Sequence, residues 1–144
     1  MTTQARDLLN SLGLLILRLG VGGYLATHGW GKLQMVMEGN FDAFADPLGL
    51  GKTMSLYLVT GAEFGCALLV MAGFLTRLAA IPVVIAMGVA AFVVHSNDPW
   101  TMGQGPMSKE PAMLFLIPFL ALVFTGAGRF SIDGLIWRQP SQAT

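Results

Sequence analysis

Charge is what this chain of 144 residues has least of, since Asp, Glu, Lys and Arg together make up 11% of it, where a soluble domain carries roughly 25%. The acidic and basic residues balance at eight each, so no net field draws the protein to a nucleic acid. There is one cysteine, Cys66, which excludes an internal disulfide and any motif of two thiols. Only two histidines are present, His28 and His95. No spacing among histidine, cysteine and carboxylates demands a metal site. The run 49-GLGKT-53 ends like a phosphate-binding loop, but Asp46 stands where that pattern needs its first glycine. Nucleotide binding is excluded on that ground.

What the chain has instead is apolar surface, with 54% hydrophobic residues, 18 glycines and 9 methionines. A chain of this length cannot hide so much of it behind a wettable exterior. An integral membrane protein follows. The polar start, MTTQARDLLN, and the absence of a small-residue cleavage site predict that the first apolar run is kept as a span.

A membrane helix needs roughly 20 apolar residues, within about 17–25. Four segments are predicted to cross, at about 8–29, 54–75, 78–95 and 112–127. The expected fold is an all-α integral membrane four-helix bundle, one domain over 1–144. A long loop is expected at 31–53, a polar loop at 96–109 and a tail at 128–144. The tight turn at Gly73–Arg77 makes the second and third helices antiparallel neighbours. Four spans put both termini on one side, with Arg6, Arg77, Arg129 and Arg138, against Lys32, Lys52 and Lys109 on the other. That bias favours termini on the cytoplasmic side. Pro82 is expected in the first turns of the third helix, Pro111 at the start of the fourth and Pro118 as its kink. Gly61 and Gly65 are spaced to let helices approach closely. Lys52 and Thr53 read as an interfacial lysine and a helix N-cap, and Cys66 as a small core residue.

Ionisable groups inside a span are costly, about 2.5–3.5 kcal/mol on insertion scales, and so they normally face the bundle interior with a partner. Counting about 1.5 Å per residue from the side of the termini puts Arg18 roughly 12 Å deep and Glu63 roughly 18 Å deep. An ion pair between Arg18 and Glu63 is expected. His28, His95 and Glu110 all fall roughly 25–27 Å in, and Lys32 shares a helix face with His28. The expected arrangement is a polar funnel with Arg18 and Glu63 at its floor. His28, Lys32, His95 and Glu110 ring the mouth, and Trp30 and Trp100 stand at the rim. Two readings stand side by side: the charges fix the bundle, or the funnel binds a ligand. Candidates for proton chemistry are Glu63, His28 and His95.

The stretches 17-LRLGVGGYLATHGWGK-32 and 61-GAEFGCALLVMAGFLTRLAA-80, His95 after the third apolar run, and 126-GAGRFSID-133 together resemble the DoxX family of small bacterial membrane proteins. The resemblance covers the chain from about Leu9 to Asp133. It implies a four-helix protein of the inner membrane, found as a subunit of a quinone-coupled thiosulfate-oxidising system or as the membrane partner of soluble thiol- and superoxide-handling proteins. By position Arg18, His28, Lys32, Glu63, Arg77 and His95 match recurrent polar positions of the family. Gly128, Arg129, Ser131 and Asp133 match its C-terminal signature, which also reads as a cap on the fourth helix and the turn after it. The function expected is a redox-linked membrane subunit whose pocket takes a quinone-like molecule, with membrane lipid and a soluble redox protein as partners. The alternative is a non-catalytic membrane adaptor or chaperone.

Overall fold

The computed structural model describes residues 2–105 and 107–137, and among these every regular element is helical. Helix α1 runs Thr3–Met37, α2 Lys52–Ala72, α3 Thr76–Val94, α4 Glu110–Thr125, and a short α5 covers Ile132–Ile136. Three of them are long and apolar enough to cross a membrane, and α4 is a shorter apolar helix. Of the expected tail 128–144, Arg138 and the residues after it lie outside the described residues.

The first helix is much longer than expected. At 35 residues it reaches about 52 Å, well beyond the roughly 30 Å of hydrocarbon. It begins on Thr2, whose hydroxyl accepts from the Ala5 amide at 3.4 Å. It ends only at Glu38, where Gly39 takes a φ of +69°. Gly-Trp-Gly-Lys at 29–32 marks the exit from the apolar layer, not from the helix, because no proline follows to break it. Lys32 therefore sits on a helix rather than in a loop, and the loop shrinks to residues 38–51.

Both α2 and α3 change pitch along their length, α2 near its middle and α3 at its far-side end. Gly61–Cys66 and Ala90–Val94 are π-helical, a widening of the helix that often marks functional sites. Helix α2 ends on Gly73, left-handed at φ +70°. Leu75 is also left-handed, an uncommon state for a side-chain-bearing residue, and Thr76 then starts α3. Pro82 and Pro118 lie inside their helices, and Pro111 occupies the first turn of α4. The N-cap of α2 is Gly51 rather than Thr53. Gly126, at φ +75°, ends α4, two residues before the glycine expected to do so.

Helix α1 lies along α2, and α3 lies along α4. The two pairs meet over Leu25, Val70, Val83, Met87, Phe119 and Leu122, all buried, with Cys66 packed against this core. The side chains of Ile16, Tyr24, Leu114 and Phe124 point outward, as a lipid-facing belt should. Close approach is carried by Gly22 and Gly29 of α1, not by the expected Gly61 and Gly65. A Cβ on Gly29 would come within 2.6 Å of the Glu63 carbonyl carbon and the Phe64 nitrogen, whereas Gly61 and Gly65 meet nothing within 4 Å.

This difference is measurable by thermal unfolding in detergent. Gly29→Ala is expected to destabilise by about 1–3 kcal/mol or more, since backbone must move. Gly61→Ala should stay within about 0.5 kcal/mol.

Candidate functional site

The expected Arg18–Glu63 pair does not form. Arg18 is fully buried, and its guanidinium donates to the Val70 and Met71 carbonyls at 3.2 and 3.0 Å and to the Phe130 carbonyl at 2.5 Å. The first two belong to the last turn of α2, where carbonyls carry the negative end of the helix dipole; the Val70 carbonyl also accepts from the Gly73 amide at 3.0 Å. A cation there is neutralised by peptide groups and needs no carboxylate. Arg18 thus closes α2 and ties the C-terminal segment onto it.

That segment completes the same joint. The Asp133 carboxylate accepts from the Leu75 and Thr76 amides at 2.7 and 2.9 Å, capping the start of α3, and the Asp133 amide donates to the Gly73 carbonyl. Ser131 accepts from the Gly134 amide and donates to the Gly128 carbonyl. The Arg129 amide donates to the Ser11 hydroxyl of α1 at 3.3 Å. The stretch 126-GAGRFSID-133 therefore serves the α2–α3 turn as well as the end of α4.

About four turns beyond Arg18, roughly 21 Å along α1, Lys32 meets Glu63 instead. Its Nζ donates to Glu63 Oε2 at 2.5 Å, with the glutamate side chain 7% exposed and the lysine 25%. Gly29, one turn earlier, makes this possible by letting α1 rest on the backbone of residues 63 and 64. Glu63 itself projects from the π-helical turn of α2. Leaving the buried Glu63 carboxylate alone in this apolar setting would cost several kcal/mol.

The pair lines a cavity of about 490 Å³ under the loop 38–51. Leu58 and Val59 of α2 and Pro82, Ile85 and Val89 of α3 form its walls, and Phe44, Pro47, Leu48 and Leu50 its roof. His95, directly after the π-helical turn of α3, is the third titratable group lining it. Its Nδ1 lies 2.7 Å from Asp98 Oδ2. Among the described residues no group of three His, Cys, Asp or Glu side chains gathers as a metal site.

Of the remaining candidates, none lines the cavity. His28 stands edge-on to Phe115 of α4, with ring centroids 5.6 Å apart. Glu110 accepts from the Met102 amide at 2.6 Å and so pins the polar loop. Trp30 packs on Phe64, and Trp100 lies beside Phe92 beneath Lys109. The expected funnel is replaced by two separate polar centres: a structural one at Arg18 and a cavity at Lys32, Glu63 and His95.

Sequence reasoning missed the roof and what holds it. Asp46 accepts from the Leu50 and Gly51 amides at 3.0 and 2.7 Å and from the Ser55 hydroxyl at 2.7 Å. The Ser55 hydroxyl foremost, with the backbone amides behind it, holds the Asp46 carboxyl below its ordinary value. Lys52 adds a bond to the Asp42 carbonyl at 2.8 Å. Asp98 was also missed, although its place three residues after His95 was visible.

With the geometry in place, comparison with known proteins gives a consistent result. The DoxX family profile matches residues 13–96. The chain is 31% identical over 128 residues to the inner membrane protein YqjF of Escherichia coli (strain K12), covering 89% of this chain and 95% of that one. No solved structure matches. The chain belongs to the DoxX family and is a multi-pass protein of the bacterial inner membrane.

Two outcomes test the site's energetics. Lys32→Met is expected to destabilise by about 3 kcal/mol, because it strands the buried Glu63 carboxylate. Glu63→Gln should cost less, because the partly exposed Lys32 keeps access to solvent, while the double change Lys32→Met with Glu63→Leu recovers most of the loss. Thermal melts of the three variants check this. The roof should respond to acid. A carboxyl whose folded pKa lies below the ordinary 3.8 contributes above that pH and loses its contribution as pH falls through the lowered folded value. Limited proteolysis should therefore cut the loop 38–51 of the wild type only in strong acid, and the loop of Asp46→Asn already at neutral pH.

Proposed function

We propose that this DoxX-family protein is the membrane subunit of a redox system and holds the head group of a quinone-like molecule in the cavity beneath loop 38–51. The observation that carries this reading is the chemistry of the lining: the Lys32–Glu63 pair, its carboxylate buried, and His95, itself bonded to Asp98 outside the cavity, in walls that are otherwise almost wholly apolar. A volume of about 490 Å³ falls within the roughly 300–1,000 Å³ of small-molecule sites. The walls suit an uncharged ring, and the polar groups suit its carbonyl oxygens.

A quinone bound there supplies two-electron, two-proton chemistry. Lys32 has three N–H donors and spends one on Glu63, so another is free to orient a carbonyl. Glu63, at hydrogen-bond distance from that ammonium, can take up or release a proton without opening the cavity to water. With Nδ1–H given to Asp98, the Nε2 of His95 is left as an acceptor, and the imidazole can pass a proton between the cavity and the far-side loops. Electrons would be exchanged with a soluble redox partner protein. Leu58 and Ile85 are at once cavity walls and largely exposed toward the lipid, which supports entry of a tailed molecule from the bilayer between α2 and α3.

The test uses protein extracted in mild detergent, assayed for bound quinone and then titrated with a short-chain quinone in lipid nanodiscs. The wild type is expected to retain and rebind quinone. The well-folded double variant Lys32→Met with Glu63→Leu should bind at least about tenfold more weakly, since a hydrogen bond to a charged group is worth about 1.5–3 kcal/mol. Absence of quinone from the wild type together with no binding on titration contradicts the reading and leaves the adaptor role, which partner capture from native membranes would then support.

A further inference from the structure

A second concavity lies at the opposite end of the bundle, where the termini meet, and nothing in the redox reading uses it. This groove, about 610 Å³, runs between Leu8 of α1, Ala72 at the end of α2, and the segment from Arg129 to Leu135. Arg129 is the one charged residue lining it. Among the described residues the Arg129 guanidinium forms no ion pair, and neither do those of Arg6 and Arg77 at the same end. The acid nearest in sequence, Asp133, already spends both carboxylate oxygens on the Leu75 and Thr76 amides. The Arg129 backbone is held to α1 through Ser11, so its exposed side chain hangs from a fixed stem at the groove's edge.

The walls say what kind of anion fits. Leu8, Phe130 and Leu135 line the groove and remain 46%, 44% and 72% exposed, a waste of apolar area for any ligand that is wholly polar. Beyond Leu135, Ile136 and Trp137 also turn outward, and tryptophan at a helix end marks the headgroup level of a bilayer. The groove therefore stands where lipid phosphates lie, with a cation above and apolar surface leading down between α1 and α2.

We propose that this groove is a binding site for one anionic phospholipid, its phosphate on the Arg129 guanidinium and the start of an acyl chain against Leu8 and Ala72. The lipid bridges α1, the end of α2 and the C-terminal segment, the same three pieces that Arg18 joins from inside. This site is independent of the cavity beneath loop 38–51.

Native mass spectrometry of detergent-purified protein titrated with phosphatidylglycerol or phosphatidylcholine tests it. The wild type is expected to retain one phosphatidylglycerol in preference to phosphatidylcholine, and Arg129→Gln to weaken that binding about fivefold, the worth of one basic residue at a membrane surface. Arg6→Gln removes the same charge from the same end outside the groove and should leave binding unchanged. Equal binding of the two lipids, or an equal loss in Arg6→Gln, overturns the proposal in favour of a diffuse basic surface. Displacement of the lipid by millimolar inorganic phosphate overturns it in favour of a simple anion site.

Discussion

A lysine and a glutamate that share one hydrogen bond inside a membrane protein constrain everything around them. Lys32 and Glu63 can stay paired only while their helices stay in register. That register requires α1 to touch the backbone of α2, which only a glycine at position 29 allows. It also requires α1 to stay helical past the apolar layer, so that position 32 is presented from a rigid element. The π-helical turn at 61–66 presents Glu63, and loop 38–51 covers the pair. The cavity is what remains between these demands, since α2 packs on α3 mainly through its C-terminal half and the space left open at the other end is roofed by the loop.

The two paired cations of α1, Arg18 buried and Lys32 half-buried, show how differently a charge is accommodated. Arg18 is surrounded by carbonyls at a helix end, where partial charges and geometry suit a planar fork of donors. Among the described residues its Nε has no partner, but Arg18 lines neither of the two cavities; the site is a joint, and Asp133 completes it from the other side of the turn. Lys32 meets a single carboxylate and borders empty volume, so donors and lone pairs remain for an occupant. Burial of charge is therefore not a sufficient sign of a functional site. Spare hydrogen-bonding capacity next to a cavity is the better one.

Much of the architecture was legible in the residues. Length of apolar runs sufficed for the membrane class and the helical bundle, and the Gly73–Arg77 turn for the pairing of α2 with α3. The candidate set also contained Lys32, Glu63 and His95. What could not be read was who meets whom. Depth along a helix puts Arg18 near Glu63 but carries no information about peptide carbonyls, which have no side chain to betray them. Placing Lys32 at the mouth beside His28, beyond a span ending at Gly29, set it well away in depth from Glu63 and hid its partner. The π-helical turns leave no mark in composition, and the roof depends on Asp46 reaching backbone amides four and five residues on, a local turn whose consequence is visible only once α2 stands beside it.

The central claim is that Glu63 exchanges protons with an occupant of the cavity while Lys32 holds that occupant in place. Infrared difference spectroscopy of the quinone-loaded protein, recorded between its oxidised and reduced states, addresses it directly. The account predicts a glutamate carboxyl signal that changes on reduction and is absent from Glu63→Gln. A difference spectrum with no carboxyl change, or one identical in Glu63→Gln, would contradict it.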